Sequence, residues 1–305
     1  MKNLNSDNNI YDEHCMDVID INLVKNSLPK LDDYANKKDR GRLFSLCSSI
    51  GMPGACVMSA KAALRTGVGL VDVAVLKDNY SVIASQLIEP VFTVLDSNDG
   101  VTYSYSQSEV ILSSISKATA CLIGCGLGVS NDTKKLVYKI IKNCKIPMVI
   151  DADGINIVSQ NIDILKEAVA DIILTPHPGE MARLLGVTPD IIQKDRYNIA
   201  HEFSMKYNVV LVLKGAKTLI SMPNGKVYIN LTCNNGLAKG GSGDILSGMI
   251  ASFLAQGMEK GKASICAVHL HGLAGDICAK EYSKTYMLPT DILNELYKIF
   301  IKFQC

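Results

Sequence analysis

The run Gly236-Leu237-Ala238-Lys239-Gly240-Gly241-Ser242-Gly243-Asp244 leads straight into an apolar stretch, Ile245 to Gln256. Glycines ahead of a helix free several backbone N–H groups to face one point, and the helix N-terminus adds partial positive charge there. Together they make an anion hole for a phosphate, with Gly241, Ser242 and Gly243 as its candidate donors. Asp244 follows in the first helical turn. A carboxylate at that place can take a proton from a substrate hydroxyl while the anion hole holds the group being transferred, which makes Asp244 the candidate catalytic base. A first-turn Asp is also an ordinary helix-start residue. Four glycines in the eight residues before it favour the functional reading. The run is not a Walker A loop, because no Gly-Lys-Ser or Gly-Lys-Thr follows the glycine spacing.

Other candidates sit at the ends of apolar runs. Lys214-Gly215-Ala216-Lys217-Thr218 follows Val209 to Leu213, so a lysine there can reach nucleotide phosphates while the glycine admits close backbone approach. A lysine-bearing surface turn is the plain alternative. His177 lies between Pro176 and Pro178, which stiffen its loop, and could hold a phosphate, a ribose or an amide. Pro178 and Glu180 also suit a helix start, which by itself would not need a histidine. Gly51-Met52-Pro53-Gly54-Ala55 stands between a strand-like and a helix-like stretch. Gly124-Cys125-Gly126-Leu127-Gly128 lacks the full dinucleotide glycine spacing. Asp151 and Asp153 end another apolar run, where they could orient a magnesium–nucleotide complex or cap the next helix. His269 and His271, two apart on a helix, point to different faces and read as packing residues.

These groups need a scaffold that brings strand ends together. Leu43 to Cys47, Leu70 to Val75, Ala118 to Ile123, Pro147 to Ile150, Ile172 to Leu174 and Val209 to Leu213 read as strands. Gly54 to Thr66 and Thr133 to Asn143 read as helices. Pro223-Asn224-Gly225 is a hairpin turn between Thr218 to Ser221 and Val227 to Asn230, and helical stretches start near Gly241, Lys260 and Pro289. Alternating strands and helices predict a three-layer α/β/α domain with a mostly parallel sheet, whose strand C-termini are where ligands bind. One domain over residues 17–305 is expected, after a poorly ordered Asn- and Asp-rich tail over residues 1–16.

The chain has 305 residues, net charge +1 and a pI near 7.5. That excludes the basic field of a general nucleic-acid binder. No run reaches the roughly 18 apolar residues of a membrane span, and no signal peptide is visible. Ten cysteines, mostly inside apolar runs, read as buried thiols of a reducing cytoplasm rather than disulfides. Cys121 and Cys125 lack the paired partners of a zinc site, so no direct metal ligand is assigned.

Taken in order, Gly51 to Ala55, Ala63 to Gly67, Asp151 to Asp153, Thr175 to Glu180, Leu213 to Gly215, Gly240 to Asp244, His271 to Asp276 and Thr290 to Leu293 closely resemble the ADP/ATP-dependent NAD(P)H-hydrate dehydratases. The resemblance runs from about Val18 to the C-terminus. It implies the ribokinase-like fold and a repair reaction, in which the S-form of hydrated NADH or NADPH is dehydrated at the expense of ADP, giving AMP and phosphate, or of ATP. It implies magnesium. It places Lys214, Gly215, Ala216, Lys217, Thr218 and Gly243 on the adenine nucleotide, and Ala55, Gly126, His177 and Asp244 on the hydrated dinucleotide. It also implies a homo-oligomer and a separate NAD(P)H-hydrate epimerase, since the chain is too short to hold one. Three places depart from the family pattern: Asn36 to Arg42, Cys47-Ser48 in place of Gly-Gly, and Cys233 to Lys239. Lost glycines are expected to crowd the substrate loop, and Lys239 to add charge near the phosphate. Rival readings are a kinase of the same fold acting on a vitamin precursor or sugar, and a non-catalytic nucleotide sensor.

Overall fold

A computed structural model describes residues 16–30 and 34–303. The expected N-terminal tail lies outside the described residues except for Met16, which is buried. Ten strands form one sheet: β1 (Asp17–Val18), β2 (Arg42–Leu46), β3 (Leu70–Leu76), β4 (Val91–Leu95), β5 (Ala120–Ile123), β6 (Met148–Ile150), β7 (Ile172–Leu174), β8 (Val210–Leu213), β9 (Leu219–Ser221) and β10 (Val227–Ile229). The order is β1-β10-β9-β8-β7-β6-β5-β2-β3-β4, and only β9 runs against its neighbours.

Both faces of the sheet are covered, and the alternation of side chains shows it. Leu122, Val149, Ile173, Val210 and Val212 join one core. Cys121, Ile123, Met148, Ile150, Ile172, Leu174, Leu211 and Leu213 join the other. Strands buried on both faces read as unbroken apolar runs, as expected for parallel sheets. The helices Pro53–Arg65, Ser242–Ala255, Lys260–Tyr286 and Pro289–Phe303 supply the first core. Asn131–Asn143, Pro178–Leu185 and Arg196–Tyr207 contribute to the second.

Two features of this frame set the site. Adjacent strands finish level, with Leu46 opposite Ile123, Ile123 opposite Ile150, and Ile150 opposite Leu174. The loops after β2, β5, β6, β7 and β8 therefore open onto one edge. The helix Ser242–Ala255 is apolar on nearly every side and almost wholly buried. It lies so close on Pro53–Arg65 that a Cβ at Gly248 would stand 2.2 Å from the Ser59 carbonyl oxygen. That packing brings the start of the helix to the shared strand edge. No helix among the described residues is long and apolar enough to cross a membrane.

The strands, the hairpin and the last three helices fall where expected, within two residues at most ends. The two-residue β1, the helix Ile21–Ser27, edge strand β4 and the helix Arg196–Tyr207 were not expected. β1 is exposed and β4 is partly so, and a short edge strand carries no unbroken apolar run.

Candidate active site

Gly241 is the residue that turns the chain into the helix Ser242–Ala255. Its φ of 101° is left-handed, and a Cβ there would meet the Met58 sulfur at 2.5 Å. No side chain caps this helix end. The Ser242 N–H turns back to the Lys239 carbonyl at 3.3 Å. Of the expected anion-hole donors that leaves the N–H groups of Gly241 and Gly243, with the first-turn N–H of Asp244 beside them. A Cβ at Gly243 would stand 3.3 Å from Lys214 Nζ, so the glycine keeps the ammonium and the helix end close.

Asp244 lies over a second carboxylate. The thiol of Cys125 and the carboxylates of Asp151 and Asp244 come within 4.8 Å of one another. Burial, then the charge of Asp151, push the Asp244 carboxyl up from 3.8 to about 7, although Cys125 and Lys214 pull it down. Asp151 is 1% exposed. Burial alone would raise its carboxyl. The Lys214 ammonium at 2.9 Å and the Ser247 hydroxyl at 2.6 Å, with Thr175 behind them, hold it below the usual range. Lys214 also lies 3.8 Å from Glu180. Asp151 and Asp153 thus do not act alike. Asp153 accepts from the Gly128 N–H at 2.9 Å and the Asn156 amide at 3.2 Å, which fastens the glycine loop after β5 to the helix Asp153–Val158.

His177 caps the helix Pro178–Leu185 itself, contrary to the expectation that a helix start would not need it. Its Nδ1 accepts from the Gly179 and Glu180 N–H groups at 2.9 and 3.3 Å, and Glu180 answers at the His177 N–H at 2.7 Å. Burial and the nearby Lys214 and Arg183 charges lower its proton affinity. A neutral imidazole with Nδ1 accepting carries its proton on Nε2. Nε2 lies 3.5 Å from Glu180 Oε1, and the ring is half exposed, so a ligand there would compete with Glu180 for that proton. Ala55 and Gly126 are brought together: a Cβ at Gly126, where φ is 62°, would lie 2.9 Å from the Ala55 Cβ.

Lys214 to Thr218 form a turn after β8 that sequence reasoning could not explain alone. Arg196, buried and first in its helix, donates to the carbonyls of Leu213 at 3.0 Å, Lys214 at 3.3 Å and Lys217 at 3.1 Å. An arginine heading a helix gives no signal of this role. Arg196→Ala is expected to leave these carbonyls unpaired, cost about 1–3 kcal/mol of stability and raise KM for nucleotide more than it lowers kcat. Denaturant melts and nucleotide titrations check both.

At two of the departures from the family pattern the structure shows what the new residues do. Ser48 keeps the left-handed turn of the missing glycine, with φ 76°, and its N–H donates to the Cys125 carbonyl at 2.7 Å. The substitution stores strain at the loop. Ser48→Gly is expected to raise stability by about 0.5–1 kcal/mol in a thermal melt. The Lys239 ammonium is not directed at the phosphate position. It donates to the Thr285 carbonyl at 2.7 Å and to Met287, tying the loop to the end of the long helix. His269 and His271 part as expected, toward Asn230 at 3.2 Å and Ser242 at 3.4 Å.

The cluster of Cys125, Asp151 and Asp244 does not suit magnesium as a protein cage. Magnesium demands near-octahedral oxygen ligands, and both Asp151 oxygens are already engaged while Cys125 offers a soft sulfur.

Comparison with known proteins gives one consistent result. A family model described as NAD(P)H-hydrate dehydratase matches residues 44–298. A bifunctional NAD(P)H-hydrate repair enzyme of Moorella thermoacetica is 36% identical over 272 residues, covering 89% of this chain and 51% of that protein. The chain spans about half the length of such bifunctional relatives. The ADP-dependent (S)-NAD(P)H-hydrate dehydratase of Bacillus subtilis is 30% identical over 281 residues, covering 92% and 96%. A crystal structure of the Bacillus subtilis ADP/ATP-dependent enzyme, grown with ATP and magnesium, superimposes with a TM-score of 0.81 at 28% identity, over 94% of this chain and 99% of that one. A hydroxyethylthiazole kinase shares the fold, with a TM-score of 0.61 at 16% identity.

Proposed function

Because the chain belongs to the NAD(P)H-hydrate dehydratase family, we propose that it dehydrates the S-form of hydrated NADH or NADPH, using ADP as phosphoryl donor and releasing AMP and phosphate. The observation that carries this reading is Asp244: a half-buried carboxyl of raised proton affinity, set at an uncapped helix start beside a lysine.

The chemistry follows from those parts. Asp244 accepts the proton of the ring hydroxyl. That oxygen attacks the terminal phosphorus of ADP, and the bond from phosphorus to the AMP oxygen breaks. The first-turn N–H groups and the Lys214 ammonium face the charge that gathers on the phosphoryl oxygens. The phosphate ester is a better leaving group than hydroxide. The ring nitrogen's lone pair expels it, and loss of a proton from the next ring carbon restores the double bond. Every atom of the lost water ends in phosphate or as a released proton. With ATP, the same steps would give ADP. Lys214 to Thr218 and Gly243 bind the nucleotide, and Ala55, Gly126 and His177 line the place of the dinucleotide, where a neutral His177 donates from Nε2. Charge neutralisation of the phosphoryl group would be supplied by magnesium entering with the nucleotide.

Recovery of the reduced-nicotinamide absorbance from hydrated NADH tests the reading. Recovery that requires ADP or ATP supports it. A folded protein that restores nothing with either nucleotide contradicts it. The pH profile carries a further expectation. The base must be ionised, so kcat/KM should rise with pH through a limb centred at about 7 and level off above it.

A further inference from the structure

The site holds two carboxylates, and the reaction above uses only one. Asp151 sits beneath Asp244 with its two oxygens taken by different donors, Lys214 Nζ on Oδ1 at 2.9 Å and Ser247 Oγ on Oδ2 at 2.6 Å. Donors on both oxygens favour the ionised form. Ser247 stands three residues after Asp244 on the same helix, so both lie on one face. Its hydrogen bond therefore ties Asp151 to the very turn that carries Asp244 and fixes the spacing of the two carboxylates.

We propose that Asp151 is a positioning residue for Asp244: a carboxylate locked by Lys214 and Ser247 and held close enough to the catalytic carboxylate to act on it through its charge. The assignment rests on the reading of Asp244 as the base. Placing like charges this close costs stability, and paired carboxylates with opposed environments are how one site divides ionised and proton-holding roles. Asp244 is faced by Asp151 and Asp153 from the end of β6, Cys125 after β5, Cys47 after β2, Cys56 in the helix Pro53–Arg65, and Lys214 after β8. The long helix offers only His271, at 3.4 Å from Ser242 and neutral through burial. Among the charged partners of Asp244, Asp151 is the strongest influence, and Lys214 and Asp153 are weaker.

The test is a carbon NMR titration of the Asp244 carboxyl, assigned by its loss in Asp244→Asn. It is run in the parent, in Asp151→Asn and in Asp151→Asn/Lys214→Met. The double variant removes the buried Asp151 charge together with the cation that pairs with it, and covers the case in which the single variant does not fold. The midpoint is expected to fall by about one pH unit or more in Asp151→Asn, and by less in the double variant, which also loses the weaker, lowering charge of Lys214. An unmoved or raised midpoint in a folded variant overturns the proposal. The pH–rate limb of Asp151→Asn, read in parallel with the parent's, separates the two ideas. A moved carboxyl midpoint with an unmoved rate limb would leave the coupling standing and remove Asp244 as the base.

Discussion

Asp244→Asn is expected to abolish turnover, by on the order of a thousand-fold, and to make the protein more stable. The first effect follows from loss of the proposed proton acceptor at the helix start, since a positioned base contributes roughly 10²–10⁴-fold. The second follows from linkage. The folded carboxyl titrates at about 7 instead of 3.8, so the folded state favours the protonated form. That preference is without cost below about pH 4. It becomes a growing penalty as pH rises, and is complete above about pH 7, where it amounts to ~2–4 kcal/mol. Asn keeps the shape and never ionises. The gain in denaturant midpoint should be largest at pH 8 and nearly absent at about pH 4. A variant that loses activity and is destabilised at every pH would show that Asp244 is a structural residue.

Lys214→Met acts in the opposite sense and is expected to cost about 3–5 kcal/mol, because it leaves the Asp151 charge buried and unpaired. The pair is deeply set, with side-chain exposures of 19% for Lys214 and 2% for Asp151. Lys214 also steadies Glu180, 3.8 Å away, so two acidic groups lose their cation. The sign with pH distinguishes this from ordinary packing loss. In the parent, Asp151 titrates below 3.8, so the pair's contribution is present at neutral pH and lost only in acid. The variant's deficit should therefore be greatest near neutrality and shrink as pH falls and Asp151 takes up a proton. Dehydration should also fall to near background, since the same ammonium faces the transferred phosphoryl group. A deficit that does not change with pH would mean the methylene stem, not the charge, supports the fold.

The strands that frame the site were legible because they are mostly apolar runs that stop at polar or glycine residues, a pattern that parallel sheets impose. Lys214 and His177 stood out for the same reason, as polar groups at those ends, and Asp244 because a glycine run precedes it at the start of an apolar helix. What stayed hidden depends on contacts across long stretches of chain. Nothing near Arg196 in the sequence points to the carbonyls of the turn after β8 that it holds. Lys239 sits beside the glycine loop in sequence, yet its flexible side chain reaches the far end of a 27-residue helix. Ser48 was visible as a lost glycine, but only the backbone reveals that the turn persists under strain. Asp151 and Asp153 look equivalent in sequence. Lys214, Ser247, Gly128 and Asn156, drawn from four places, make them different.

The central claim is that the ring hydroxyl itself becomes phosphorylated in a pocket based on Asp244. Hydrated NADH carrying heavy oxygen in its ring hydroxyl tests this most directly, with phosphorus NMR of the products after one round of turnover with ADP. The account predicts that the heavy atom appears in inorganic phosphate and that no labelled phosphate forms with Asp244→Asn. Heavy oxygen released as water, with unlabelled phosphate, would contradict it, because the nucleotide would then be hydrolysed apart from the dehydration.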